Sequence, residues 1–220
     1  MTAIELVADV IPPVTTSDTI QKVVDRMVEF RIRHLPIVNE EQFLGLISED
    51  DLIGETDYET NVGALSLSLV NPYVLEGQHV YDVIRAFYEQ KLTVLPVLDD
   101  KNNYLGLISL GTLTEYFAKL TSVDQPGGII VLEIDNKNNS LAHMAQIVES
   151  DNAQILSSYV RTFPDSTRME VTLKINKQDI SAILSTFLRY EYVIKATFNH
   201  SGDINNSKER YDSLMNYLNL

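Results

Sequence analysis

The chain has 220 residues, 45% of them apolar, a formal net charge of −14 and no cysteine. That length supports one large or two small cores, the charge repels nucleic-acid phosphates, and the missing cysteines remove disulfides, thiolate metal sites and thiol nucleophiles. No apolar run approaches the roughly 18 residues of a membrane span and no charged-then-apolar leader opens the chain, so a cytoplasmic protein without membrane or nucleic-acid partners is expected.

Thr16-Ser17-Asp18 is a capping cluster. Behind it Ile20, Val23, Val24, Met27 and Val28 recur at helical spacing and predict one apolar helix face. Leu35-Pro36-Ile37-Val38 and Phe43-Leu44-Gly45-Leu46-Ile47 read as two short strands joined by the turn Asn39-Glu40-Glu41-Gln42. Proline inside the first of these confines it to a strand start or a sheet edge. A second helix is expected after Ser48, with Glu49, Asp50 and Asp51 in its first turn. Residues 54–70 bridge to a second copy of the same order, and residues 61–65 within them read as a helical turn. In that copy Val80, Val83, Ile84, Phe87 and Tyr88 form the helix face, followed by Val94-Leu95-Pro96-Val97-Leu98 and Tyr104-Leu105-Gly106-Leu107-Ile108-Ser109. The offset is 60 residues up to the Leu-Pro step and 61 after it, because the turn from Asp99 to Asn103 is one residue longer. Each unit therefore reads as short strand, helix, strand, strand, helix. Two copies of such a unit imply that they pack on each other and leave clefts at their interface.

Residues 121–128 break the pattern, with linker chemistry in Asp124-Gln125-Pro126-Gly127-Gly128. Beyond them come a strand over residues 129–134, a helix face of Leu141, Met144, Ala145 and Val148, and a strand over residues 153–160. Next, Met169, Val171, Leu173 and Ile175 alternate with polar residues, Ile180, Ile183, Leu184, Phe187 and Leu188 mark a helix, and Tyr192, Ile194, Ala196 and Phe198 mark a last strand. The order βαββαβ is the ferredoxin-like arrangement. A polar loop over residues 201–206 leads to a terminal helix with the stripe Tyr211, Leu214, Met215 and Leu218. The expected organisation is repeat one over 1–60, repeat two over 61–120, a linker over 121–128, a ferredoxin-like domain over 129–200 and an amphipathic helix over 201–220, an α/β pair followed by an α+β domain.

Nothing assembles a nucleophile, base and orienting group: His34, His79, His143 and His200 are dispersed, and no hydrolase, metalloprotease, phosphate-loop or dinucleotide motif occurs. No catalytic residue, metal site or cofactor is assigned, and an enzyme is not expected. Ser48 and Asp51 admit two readings. They form a capping box that stabilises a helix start, or they present a hydroxyl and a carboxylate to one side of a cleft, where the carboxylate can accept bonds from sugar hydroxyls.

The doubled pattern, a helix, then Leu-Pro-Ile-Val or Leu-Pro-Val-Leu, then Gly-Leu-Ile-Ser, resembles a tandem cystathionine-β-synthase (CBS) domain pair over residues 1–120. That resemblance implies an adenosyl ligand (AMP, ADP, ATP or S-adenosylmethionine) held as a regulatory ligand in a cleft between the repeats. It places Asp51 on the ribose hydroxyls, Ser48 near the ribose-phosphate, Arg33 and His34 at the phosphates, and Val14 and Thr15 at the base, with Pro36 and Ile37 completing the site. Two rival roles stand beside these: Arg33 pairing with Glu29, and His34 as a packed histidine. In the second copy the matching positions are Val74, Ser109 and Thr112, while Thr93-Val94 replace Arg33-His34. A threonine cannot bridge two hydroxyls as a carboxylate does, so one competent site and one weak or empty site are expected.

The C-terminal domain resembles an ACT domain, and the order of the two parts is similar to that of the acetoin-utilisation (AcuB-like) CBS proteins. The Pro-Gly of the ACT ligand turn is replaced here by Asn136-Lys137-Asn138-Asn139 between Asp135 and Leu141. The domain reads first as a dimerisation or partner surface and second as an amino-acid sensor. Together these readings describe a non-catalytic regulatory protein, a homodimer acting through an unidentified protein partner, with a structural assembly module of empty clefts as the alternative. The terminal stripe would either hold the dimer or dock on its own domain.

Overall fold

The apolar spacing of the two copies produces helices α1 (Ile20–Phe30) and α2 (Val80–Gln90) in the computed structural model, which describes residues 1–8, 11–65, 72–135, 140–164 and 166–199. Thr19, rather than the cluster ahead of it, caps α1 by accepting the Lys22 N–H; Asp18 instead accepts the Thr15 N–H at 2.8 Å and pairs with Lys22. The His79 ring caps α2 by accepting the Tyr81 N–H at 3.3 Å. Both helices end on a non-glycine residue in the left-handed region, Arg31 (φ 53°) and Lys91 (φ 55°), at equivalent places in the two copies.

Strands β1 (His34–Asn39) and β2 (Gln42–Ser48) form one hairpin, while β3 (Val74–Leu75), β4 (Val94–Leu98) and β5 (Tyr104–Ser109) form a sheet in that order. Both hairpins slip register at the same point: Ile37 faces Gly45 but Val38 faces Phe43, and Val97 faces Gly106 but Leu98 faces Tyr104. Leu44 and Leu105 are the extra residues of these bulges, and Gly45 (φ 153°) and Gly106 (φ 143°) adopt backbone angles beside them that other residues rarely take. Pro36 lies in β1, an edge of its two-stranded sheet, as expected, whereas the equivalent Pro96 lies inside the central strand β4. The first copy shows why this is tolerated. The Pro36 carbonyl accepts the Val14 N–H and the next donor in the ladder is Val38, so no partner faces the missing proline N–H.

Two expectations change. The leading strand of the first copy is reduced to a single bridge, Val14 to Ile37, where the second copy pairs two residues. After β2 the expected helix is only a 3₁₀ turn, Asp50–Leu52, whereas β5 is followed by α3 (Leu110–Leu120). Gly54 at φ 95° ends the turn, and Gly54-Glu55-Thr56-Asp57 has neither the propensity nor the apolar face that Leu110, Leu113 and Phe117 give α3.

Each copy is also covered by a segment from beyond its own leading strand. Residues 60–63 lie on the first: the Ile20 N–H donates to the Thr60 carbonyl, Val62 to Asp18 and Gly63 to Thr16. Residues 1–4 do the same for the second, with Val80 donating to Met1, Ala3 to Gln78 and Ile4 to Glu76. Val62 and Ala3 are buried in this exchange, and a single core runs through both copies, including Leu35, Ile47, Leu95 and Ile108.

The chain divides into two units, Met1–Tyr116 and Phe117–Leu220. The second holds β6 (Gly128–Asp135), α4 (Leu141–Glu149), β7 (Ile155–Thr162), β8 (Arg168–Ile175), α5 (Ser181–Arg189) and β9 (Val193–Asn199). Its sheet is antiparallel in the order β7-β8-β6-β9, the ferredoxin-like topology expected. Strand β7 starts at Ile155, after a turn at residues 150–152, rather than at Ala153. Ile130, Leu132, Val171 and Leu173 pack against Met144, Ile147, Ile183 and Phe187. Gly127 is required at the entry to β6, because a Cβ there would lie 1.9 Å from the Ile175 carbonyl oxygen. The turn at residues 136–139 and the terminal stripe at Tyr211, Leu214, Met215 and Leu218 lie outside the described residues. Among those described, no helix is long and apolar enough to cross a membrane.

Candidate functional site

The β1–β2 hairpin sets His34 opposite Ser48, so the start of one strand and the end of the other come together. The 3₁₀ turn then brings Asp51 back toward Ser48. Its Oδ2 accepts the Ser48 N–H at 2.8 Å and the Ser48 Oγ–H at 2.6 Å, while the Asp51 N–H donates to Ser48 Oγ at 3.3 Å. This is the reciprocal capping arrangement, and it holds a carboxylate at the strand end. Arg33 is exposed beside it. Its Nε donates to Glu49 Oε2 at 2.8 Å, so its partner is Glu49 and not Glu29: α1 ends at Phe30 and Arg33 lies beyond it. Bonding to the Glu49 carboxylate raises the Arg33 pKa above its ordinary value, and Glu49's charge adds to the effect.

The other expected residues fall farther into the fold. Val14, Pro36 and Ile37 are buried. Val14 is engaged on its backbone, donating to Pro36 and accepting from Val38, and the Thr15 N–H is held by Asp18. Only the Thr15 hydroxyl, bonded to Ser17 Oγ at 2.9 Å, keeps to the surface. In the second copy the Ser109 and Thr112 hydroxyls are 3.0 Å apart and the Thr112 N–H donates to Ser109 Oγ, so the same corner forms without a carboxylate. Val74 is buried in the β3–β4 pairing.

One residue of the second copy reaches the first copy's corner. Thr93 Oγ1 accepts the Arg33 N–H at 3.0 Å and lies 3.0 Å from His34 Nδ1, which also accepts the Thr93 N–H at 3.3 Å. A backbone N–H can only donate, so Nδ1 is unprotonated and the ring is the neutral Nε2–H tautomer. Burial, reinforced by the Arg33 charge, holds the His34 pKa below its ordinary value, with Asp50 and Asp51 opposing. In this state His34 therefore offers a neutral N–H donor beside the Arg33 cation. Thr93 and Glu49 make contacts that the sequence does not show, where Thr93 only stands at the position of Arg33 and Glu49 only in a helix start.

Two clefts lie elsewhere. One of about 1100 Å³ opens between the two hairpin turns, lined by Glu40, Glu41, Phe43 and Lys101 among others, where the Tyr104 N–H donates to the Glu41 carbonyl at 2.7 Å. The other, about 530 Å³, is in the second unit at the end of β6. His143 Nδ1 there lies 2.8 Å from the Tyr192 hydroxyl, and Arg168 and Lys195 both pair with Glu133. The dispersed-histidine reading gave no hint of that pairing, since His143 and Tyr192 are 49 residues apart.

The fold thus defines a pseudo-symmetric α/β pair with one acidic and one hydroxyl corner, followed by a ferredoxin-like unit. Residues 4–57 and 67–119 each match the family model of the CBS domain, so the N-terminal part of the chain is a tandem CBS pair. An uncharacterised protein of Methanocaldococcus jannaschii is 25% identical over 96 residues, which are 44% of this chain and 36% of that protein's length. Among solved structures, a CBS domain pair/ACT domain protein of Thermotoga maritima is 24% identical at a TM-score of 0.48, covering 53% of this chain and 96% of its own. CBSX2 in complex with AMP is 20% identical at a TM-score of 0.46, covering 56% and 98%. The CBS domain of the bacterial CNNM/CorC family Mg2+ transporter, in complex with ATP, is 18% identical at 0.42, covering 52% and 85%.

Proposed function

We propose that this chain is a non-catalytic regulatory protein that takes one adenosyl ligand, AMP, ADP, ATP or S-adenosylmethionine, at the Asp51 corner of its CBS pair. The observation that carries the reading is an asymmetry. Asp51, Arg33 and His34 gather where the first hairpin ends, and the equivalent positions of the second copy hold Thr112, Thr93 and Val94. A carboxylate accepts two ribose hydroxyls at once and a threonine hydroxyl does not. On a chain of net charge −14 a nucleotide also needs a local cation, and Arg33 supplies one if phosphate displaces Glu49. Ligand then selects one arrangement of the two copies, and the change is read by the ferredoxin-like unit, which we take to be ACT-like and to serve a homodimer acting on a protein partner.

The rival reading, an assembly module with no ligand, has its own support, since Ser48 and Glu49 already engage Asp51 and Arg33. Thermal unfolding with and without nucleotide separates the two. A ligand at a hundred times its Kd stabilises the fold by about 2.7 kcal/mol, whereas an assembly module melts at the same temperature throughout. Sedimentation of the full chain tests the dimer, which should run at twice the monomer mass.

A further inference from the structure

The contact between His34 and Thr93 joins the candidate site to the interface of the two copies. It uses a residue from each, and the second copy has no counterpart for the histidine, since Val94 stands there. His34 Nδ1 accepts from the Thr93 amide and stands 3.0 Å from the Thr93 hydroxyl, which in turn accepts the Arg33 amide. The bond from the Thr93 amide requires an unprotonated Nδ1. Were that nitrogen to take a proton, the hydroxyl could turn and accept from it, but the amide could not, and two N–H groups would face each other. The charges acting on the ring are Arg33, which opposes protonation, and Asp50 and Asp51, which favour it; on the side of the second copy it meets Thr93, which carries no charge.

We propose that His34 and Thr93 form a clasp between the two CBS copies, which the phosphate of a bound nucleotide releases as His34 takes up one proton from solvent. The inference rests on the adenosyl-site reading and adds its regulation. Burial opposes protonation most and the Arg33 charge next. Phosphate beside Arg33 cancels that charge, the ring turns from the Thr93 amide toward the anion, and the imidazolium forms with its new N–H on the phosphate. The His34 ring then no longer ties the start of β1 to Thr93, and of the contacts with Thr93 at this corner only the Arg33 N–H bond to the Thr93 hydroxyl is kept. Binding, proton uptake and a loosened contact between the copies become one event, with the signal carried by the clasp.

Calorimetry of ATP binding to the full chain, repeated in buffers of different ionisation enthalpy, counts the protons taken up. Comparing the wild type with His34→Gln removes the titration of the nucleotide's own phosphates. The expected result is an uptake approaching one proton near neutral pH in the wild type, absent in His34→Gln, with affinity rising on acidification by at most about tenfold per pH unit. Adenosine, which lacks phosphate, should show no such uptake. Thr93→Val weakens the clasp without touching the anion. It should lower the melting temperature, raise the NMR titration midpoint of His34 in the absence of nucleotide and tighten ATP binding about threefold, while Thr93→Ser behaves as wild type. A midpoint that falls in Thr93→Val means the hydroxyl merely turns and the ring stays, which overturns the release. ATP binding with no His34-dependent proton uptake overturns it as well. If ATP does not bind at all, the nucleotide reading fails and the coupling fails with it, but a depressed His34 midpoint that rises in Thr93→Val would still establish the clasp.

Discussion

At equivalent positions the first CBS copy carries Arg33, His34 and Asp51 and the second carries Thr93, Val94 and Thr112, on hairpins with the same register and the same bulge. The backbone solution is shared because the apolar residues are shared: Leu35 and Leu95, Ile47 and Ile108, and Val23 and Val83 are all fully buried. The polar corner is free to diverge because it lies at the strand ends, where burial is partial. Core packing therefore fixes the shared backbone, and under the proposed function three side chains distinguish a ligand corner from an empty one. The second copy has meanwhile gained order that the first lacks, an eleven-residue helix after its hairpin in place of a three-residue turn.

The largest effect that tests this comparison is in the core. Leu35→Ala and Leu95→Ala each remove a fully buried side chain and should each lower stability by about 2–5 kcal/mol. Because one core runs through both copies, both variants should lower the midpoint of the same cooperative transition in chemical denaturation. Loss of one copy's signal alone would mean that the copies fold separately.

Much of this architecture is legible in the sequence, because helix and strand periodicity are local properties and the repeat doubles the signal. Ile20 to Val28 and Val80 to Tyr88 mark their helices unaided, and the alternation from Met169 to Ile175 marks β8. The failures have physical causes. The exchange of residues 1–4 and 60–63 is a long-range pairing of short segments with little periodicity, although Leu6 and Leu65 repeat at an offset of 59 and carried a faint signal. The place of Pro96 in a central strand was not legible, because whether a proline is tolerated depends on the ladder. At the equivalent Pro36 the carbonyl accepts from Val14 and the next donor is Val38, so no N–H is required. At the site, Ser48 and Asp51 were readable as a pair three residues apart, but their reading as a cap or as a ligand corner stayed open. The Thr93 contact joins residues 59 positions apart and could be found only with the fold in hand.

The next effect down concerns the corner itself. Asp51→Ala leaves the half-buried Ser48 N–H and hydroxyl without their acceptor and should destabilise the fold by about 1 kcal/mol. Thr112→Ala removes one hydroxyl contact and should change stability by less. Equal losses in thermal melts would mean that the two corners are energetically alike.

A pH series separates His34 from its counterpart Val94. The folded pKa of His34 lies below its unfolded value of about 6.5, so the unfolded chain takes up a proton first as pH falls. Stability is unaffected well above that value and is lost as pH falls from about 7 toward 5, above the range in which the lowered carboxylates Asp18 and Asp99 titrate. In urea unfolding at pH 7 and pH 5, wild type should lose stability that His34→Gln keeps. The smallest effect belongs to Glu49. The Arg33–Glu49 pair is exposed, so Glu49→Gln should leave stability unchanged within error and, by freeing Arg33, tighten ATP binding by less than about fivefold.

Titration calorimetry of AMP, ADP, ATP and S-adenosylmethionine into the full chain, the Asp51→Ala variant and the Thr112→Ala variant tests the asymmetry most directly. Two charge-assisted bonds to the ribose hydroxyls, each worth roughly 1.5–3 kcal/mol, depend on the Asp51 carboxylate. The account predicts one adenosyl ligand per chain, affinity reduced at least about tenfold by Asp51→Ala and nearly unchanged by Thr112→Ala. Two equivalent sites, equal losses from the two substitutions, or no heat of binding with any of the four ligands would contradict it.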